Sequence, residues 1–259
     1  MRPSRAAVAM LVLALVFLVG PFGVVFIAGV SGDDSLTFPP RSWSLRWVMH
    51  VLTVDTFQRS FVTSALVAVG STLGALALGV PVAYALSRHR VSGQEAVRTL
   101  LTLPLIVPGI IVGLALLNHM VLLYNLPVLS SLLVGHTALL LPYAVRVVGA
   151  SLANLRTDID DAAVTLGATR LQAFTKVVLP NIRGGIAAAA VLAFITSFNQ
   201  VPVSLFLTGP GVSTLPIEMM SYMETSYDPS IAALSTLLVV MTVAVVAATE
   251  KLLGVSRYV

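Results

Sequence analysis

Apolar residues run without a break from Ala6 to about Val30, and runs of similar length recur five more times along the chain. Their approximate limits are Ser60–Leu86, Leu100–Tyr124, Ser130–Ser151, Arg183–Leu207 and Ser230–Ala248. A helix needs about 20 mostly apolar residues to cross the hydrocarbon of a bilayer, and each run meets or approaches that length. The pattern predicts an all-α polytopic membrane protein with six transmembrane helices. The first run is longer than the roughly 7–15 apolar residues of a signal peptide, so it reads as a retained span. Within the third, Pro104 and Pro108-Gly109 predict a ladder broken near one end, and Pro81 a kink late in the second. The link Asn125–Leu129 is short enough to force an immediate return into the fourth span. Ser31–Arg59 and Thr208–Pro229 read as polar connections. The first carries Trp43 and Trp47, whose rings suit a membrane interface, and a short surface helix; the second is a turn-rich loop around Gly209-Pro210-Gly211.

The stretch between spans four and five, residues 156–182, breaks the pattern. Ile159, Ala162, Ala163 and Leu166 recur at helical spacing and predict one apolar face. Asp158, Asp160 and Asp161 fall in that helix's first turn, where the dipole favours carboxylates. Gly167 suits the left-handed residue that closes a helix. Thr169 and Gln172 stand at capping-box spacing for a second helix, with Leu171, Phe174 and Val178 as its stripe. Pro180 lacks an N–H and must stop that helix or begin the next. Two short amphipathic helices between spans read as a docking element for a partner.

Composition agrees with the hydropathy pattern: 57% of residues are hydrophobic, 10% are charged and the mean hydropathy is +0.96. The pI near 9.8 does not argue for nucleic acid, because the basic residues lie scattered in short loops. With both termini in the cytoplasm, Arg2, Arg5, Arg88, Arg90, Arg98, Arg146, Arg156, Arg170, Lys176, Arg183, Lys251 and Arg257 fall inside. Only Arg41, Arg46 and Arg59 fall outside, a twelve-to-three bias that orients the chain and places residues 156–182 in the cytoplasm. The whole of 1–259 reads as one transmembrane domain, with its core at 60–250. No cysteine is present, which excludes disulfides and thiol ligands.

Chemistry of its own is hard to find. A P-loop needs glycines followed by Lys and Ser or Thr, and neither Lys176 nor Lys251 has that context. No HExxH or GxSxG occurs, and His50, His89, His119 and His136 lie far apart, so no catalytic, metal or cofactor site is expected. The polar group Thr196, Ser197, Asn199 and Gln200 in span five must find partners in hydrocarbon. It is the candidate translocation surface, together with Asn118, and interhelical bonding is an equally open reading. Glu218, Glu224 and Asp228 form an acidic rim in the last loop, fit to attract a cation or to be merely solvated. An ion-coupled carrier would place acids deep in its spans, and none lies there. A non-transporting assembly subunit is the other alternative.

The spacing Asp161-Ala162-Ala163, Gly167, Val177, Leu179-Pro180 resembles the EAA signature of permease subunits of bacterial type I ABC importers, with Asp for Glu and Val for Ile. The resemblance implies that Asp161, Ala162, Ala163, Gly167, Leu179 and Pro180 belong to a coupling loop that enters a separate ABC ATPase dimer. ATP and Mg would then be bound by the partner, and no cofactor by this chain. It also implies a second homologous permease, an extracytoplasmic solute-binding protein, and residence in the bacterial inner membrane. Thr208-Gly-Pro-Gly-Val-Ser-Thr-Leu-Pro-Ile217 and Asp228-Pro229 are similar to the second permease of spermidine/putrescine-type importers, which implies a small polar solute such as a polyamine, another organic amine or an opine. Those permeases often carry acids where Asn199 and Gln200 stand, and two amides cannot neutralise an ammonium.

Overall fold

The computed structural model describes residues 4–89 and 93–253; Arg2, Arg90 and Arg257, counted in the charge bias, lie outside them. Among the described residues the chain is helical, with two isolated β-bridges, Ser31 to Trp43 and Gly209 to Val212. Four helices are long and apolar enough to cross a membrane: α1 (Arg5–Gly29), α3 (Asp55–Arg88), α6 (Val128–Ala153) and the Ser230–Thr249 part of α13 (Ser230–Leu253). Two bent pairs bring the number to six when each counts as one span. The short surface helix of the first connection is α2 (Arg46–Val51).

The third span is broken more sharply than the sequence suggested. α4 (Gln94–Ile106) meets Gly109–Leu123 at 98°, the latter being α5 (Gly109–Leu116) continued by a π-helical segment at Leu117–Leu123. Val107 takes φ −72°, ψ 131°, the extended conformation that the ring of Pro108 imposes on the residue before it. The fifth span is shorter than expected. α10 (Arg183–Phe198) ends nine residues before Leu207, and only the single turn α11 (Ser204–Leu207) resumes. The Asn199 amide donates back to the Ile195 carbonyl at 3.0 Å, and Pro202 follows, where no N–H can continue the ladder. The last connection is not all loop. It contains α12 (Leu215–Thr225), started by Pro216 in a position where its missing N–H costs nothing and by Glu218 in the first turn.

The chain divides into two compact units, with the division falling inside α3, α12 and α13. One holds Met1–Gln58 and Glu218–Ala244. In it the Phe57 and Tyr222 rings pack at 5.1 Å, and the Trp47 indole donates to the Asp33 carbonyl at 2.9 Å. The second unit holds Arg59–Ile217 and Val245–Val259. Its core joins Val80 and Ala83 of α3, Val148 and Leu152 of α6, and Ile182 and Ala189 near and in α10. The backbone of α10 at Gly185 lies directly against the Ser151 side chain of α6: a Cβ on Gly185 would lie 2.3 Å from the Ser151 Cβ, so only glycine fits there.

Candidate functional site

Residues 156–182 fold as the two-armed hairpin that the spacing predicts. The first arm is α7 (Asp158–Thr165). Gly167 turns the chain at φ +93°, where a side chain would be strained. The capping box forms in both directions: Gln172 N donates to Thr169 Oγ1 at 3.2 Å and Thr169 N to Gln172 Oε1 at 2.9 Å. The second arm runs through α8 (Arg170–Ala173), a π-helical segment at Phe174–Val178 and α9 (Leu179–Asn181), with Pro180 in its first turn. It meets α10 at 71°.

The two apolar stripes are not buried as a whole: Leu166 and Leu171, members of them, are 89% and 70% exposed. Asp160, assigned to a charged first turn, is 3% exposed and turned inward. The reason lies on α3: Arg88 Nε sits 3.3 Å from Asp160 Oδ2, and Tyr84 donates its hydroxyl to the same oxygen at 3.1 Å. A paired carboxylate occupies the inner face, and the helix turns so that its leucine points away. Asp161, Ala162, Gly167 and Pro180 are also exposed, while Ala163 and Leu179 are half-buried. Asp161 pairs loosely with Arg170 at 3.2 Å. The Arg156 guanidinium holds the Asp158 carboxyl below its ordinary range, the hydrogen bond outweighing a small desolvation.

The polar group of span five is dispersed. Ser197 is buried and shares hydrogen bonds with His136 Nδ1 at 2.8 Å and Ser71 Oγ at 3.0 Å, while His136 Nε2 reaches Ser204 Oγ at 3.0 Å. One imidazole, 1% exposed, thereby ties together α3, α6, α10 and α11. Thr196 and Gln200 are half-buried, Asn199 is exposed at the end of α10, and Asn118 is exposed on the π-helical segment after α5. Sequence spacing could not find this network, because its hydrogen-bonded partners lie 61 to 126 residues apart. Of the acidic rim, Asp228 is committed locally: Tyr222 Oη and Ser230 N each donate to it at 2.8 Å.

A cavity of about 630 Å³ opens beside the hairpin's root, lined by Arg88, Arg98, Arg146, Gln94 and Leu155 among others. Three guanidinium groups on its walls make it unfit for an ammonium ion.

Membrane-length helices, two of the candidate spans sharply bent, together with an amphipathic hairpin carrying exposed leucines, define a multi-span membrane protein. The chain belongs to the family of binding-protein-dependent transport system inner membrane components, whose model matches residues 75–253. It is 30% identical over 238 residues to the putrescine transport system permease protein PotI of Escherichia coli K12, covering 89% of this chain and 84% of that one. It is also 30% identical over 210 residues to the spermidine/putrescine transport system permease protein PotC of the same strain, covering 81% and 80%. Its fold is similar to that of a crystal structure of a bacterial ABC transporter involved in the import of the acidic polysaccharide alginate. There the TM-score is 0.74 at 18% identity, with 97% and 99% of the two chains covered.

Proposed function

We propose that this inner-membrane subunit forms half of the translocation pathway of an ATP-driven importer for a small organic amine and hydrolyses no ATP itself. In this reading the two permeases of the importer are homologous but different chains, an extracytoplasmic binding protein delivers the solute, and ATP and Mg are bound by a separate ATPase dimer. The ATPase receives the hairpin 156–182 on the cytoplasmic side. The observation that carries this reading is the outward-facing pair Leu166 and Leu171 on either side of a left-handed Gly167. Two large apolar side chains at the tip of a polar hairpin gain nothing from water and mark a protein contact. Asp161, Ala162 and Gly167 lie on that exposed surface, and Pro180 starts the turn that sets the second arm's angle to α10. The ATPase can drive the spans only if it binds the hairpin differently in two states.

The amine assignment is supported by the two permease relatives, which belong to putrescine and spermidine/putrescine transport systems. Asn118, Thr196, Asn199 and Gln200 line the path as neutral hydrogen-bonding groups, and Ser197 supports them from the seam behind. Amides orient an amine through their carbonyls without trapping it by charge, so affinity for the solute resides in the binding protein. The test is to reconstitute the complex with its ATPase, partner permease and binding protein, then measure putrescine-stimulated ATP hydrolysis for wild type and Leu166→Asp. The variant is expected to lose ATPase co-purification and stimulated hydrolysis. Retention of both would overturn the docking assignment, and wild type unresponsive to putrescine and spermidine would overturn the amine.

A further inference from the structure

The last turn of α3 grips both arms of the hairpin at once. Tyr84 and Arg88 stand four residues apart, on one face of the helix. Toward the first arm, both meet Asp160 Oδ2, at 3.1 and 3.3 Å. Toward the second arm, the Tyr84 ring packs on Phe174 with centroids 4.7 Å apart. Arg88 Nη2 reaches the chain entering the hairpin as well, donating to the carbonyls of Leu155 at 3.2 Å and Arg156 at 3.1 Å. The two charged side chains are only 6% and 5% exposed. By contrast, the hairpin's other ion pairs, Arg156 with Asp158 and Arg170 with Asp161, are open to water.

A buried ion pair is a poor device for stability, since desolvation consumes most of its attraction; its best-attested use is to fix one arrangement against others. This pair is also incompletely hydrogen-bonded. Arg88 Nε lies near the carboxylate but outside hydrogen-bond geometry, and Asp160 Oδ1 is buried with no hydrogen-bond partner among the described residues. Between Arg88 and Asp160 themselves the contact is therefore chiefly charge attraction, while the Tyr84 hydroxyl bond to Asp160 and the two carbonyl bonds from Arg88 Nη2 give the tether between hairpin and α3 its direction.

We propose that Tyr84, Arg88 and Asp160 form the joint through which displacement of the hairpin is passed to α3, and that they are positioning residues for coupling rather than contacts to the ATPase. The inference rests on the reading of the hairpin as the ATPase dock. Exposed residues of the hairpin then bind the motor, and buried Asp160 passes its motion to a spanning helix. Loss of the joint should leave the motor attached and idling.

The experiment measures, on the full reconstituted importer, ATPase co-purification, hydrolysis rate and putrescine imported per ATP. For Asp160→Asn, co-purification within twofold of wild type, sustained hydrolysis and at least a tenfold fall in solute imported per ATP are expected. Import per ATP equal to wild type in an intact complex would overturn the joint while leaving the dock standing. If instead co-purification does not require Leu166, the dock itself fails. Asp160→Asn leaves Arg88 buried without its counter-charge, so the complex can fail to assemble. Arg88→Lys then decides, because it keeps the charge but cannot reach the carboxylate and both carbonyls together. A two- to fivefold fall in import per ATP in that variant supports the joint, and an unchanged ratio overturns it. The exchange Arg88→Asp with Asp160→Arg is expected to recover part of the coupling lost in Asp160→Asn, and equal loss in both overturns the pairing.

Discussion

The hairpin at 156–182 and the seam between α6 and α10 solve opposite problems. In the hairpin, apolar Leu166 and Leu171 face outward and the carboxylate of Asp160 faces inward. In the seam, glycine, serine and histidine face inward against one another, and apolar side chains such as Leu192 and Val134 face outward. In the function proposed above, the outward leucines of the hairpin are the surface that another protein covers. Outward leucines on a helix in lipid need no such explanation, because hydrocarbon is as apolar as they are. On that proposal the same residue type points to a partner in one place and to nothing in the other. The polar residues reverse as well: buried ones hold the seam together, and in the hairpin the buried acid meets Arg88 and Tyr84 of α3.

The seam should break first. Gly185→Val would place carbon within 2.3 Å of the Ser151 Cβ, and overpacking of that order costs about 3 kcal/mol. The protein is expected to lose thermal stability in detergent with the hairpin's sequence untouched. The hairpin should show the reverse. Leu166→Ala and Leu171→Ala are each expected to leave the melting temperature within about 2 °C, consistent with surface changes of under about 0.5 kcal/mol. Each should weaken ATPase binding by about 1.5–2 kcal/mol, or ten- to thirtyfold, from lost apolar burial. Titration of labelled ATPase against purified permease would separate the two effects, and a permease destabilised by these changes would mean that the leucines pack against their own chain. His136→Leu is a finer probe. It strands the Ser204 hydroxyl and leaves Ser197 with its Ser71 bond alone, at about 1 kcal/mol, because hydroxyls in a membrane seam find substitute partners. The melting temperature is expected to fall by a few degrees, with ATPase affinity unchanged.

The smallest effect concerns pH. Burial alone would raise the Asp228 carboxyl, but bonds from Ser230 and the Tyr222 hydroxyl outweigh it and hold the group below its ordinary value of 3.8. A carboxyl lowered in the folded state adds stability that is complete above its unfolded pKa, near 4, and is lost as pH falls through the lower folded value. Melting temperature should therefore be flat in this contribution from pH 8 to about 5 and decline below about 4. Asp228→Asn is expected to make that acid limb shallower, and an identical limb would mean that other carboxyls carry it.

Much of this protein could be read from its residues in order. Four of the six apolar runs became single long helices, while the third and fifth are interrupted helices; a backbone in hydrocarbon has to satisfy its own hydrogen bonds locally. The turn at Gly167 and the capping box at Thr169 and Gln172 formed as spaced, since both are made by residues within three positions of each other. Breaks were legible as to place but not as to angle: Pro108 marks the interruption, whereas the 98° bend depends on what α5 packs against.

The sequence by itself determined the number of helical runs, the hairpin and its caps, because helix ladders, prolines and caps act over a few residues. Tertiary structure decided which face of the hairpin looks inward, since that hangs on Arg88 and Tyr84, more than 70 residues before Asp160 in the chain. It also decided that Ser197 joins His136 and Ser71 in the seam while Asn199, two residues on, stays exposed. Helical periodicity records that a residue is polar, but only the neighbouring helix settles whether it finds its partner inside.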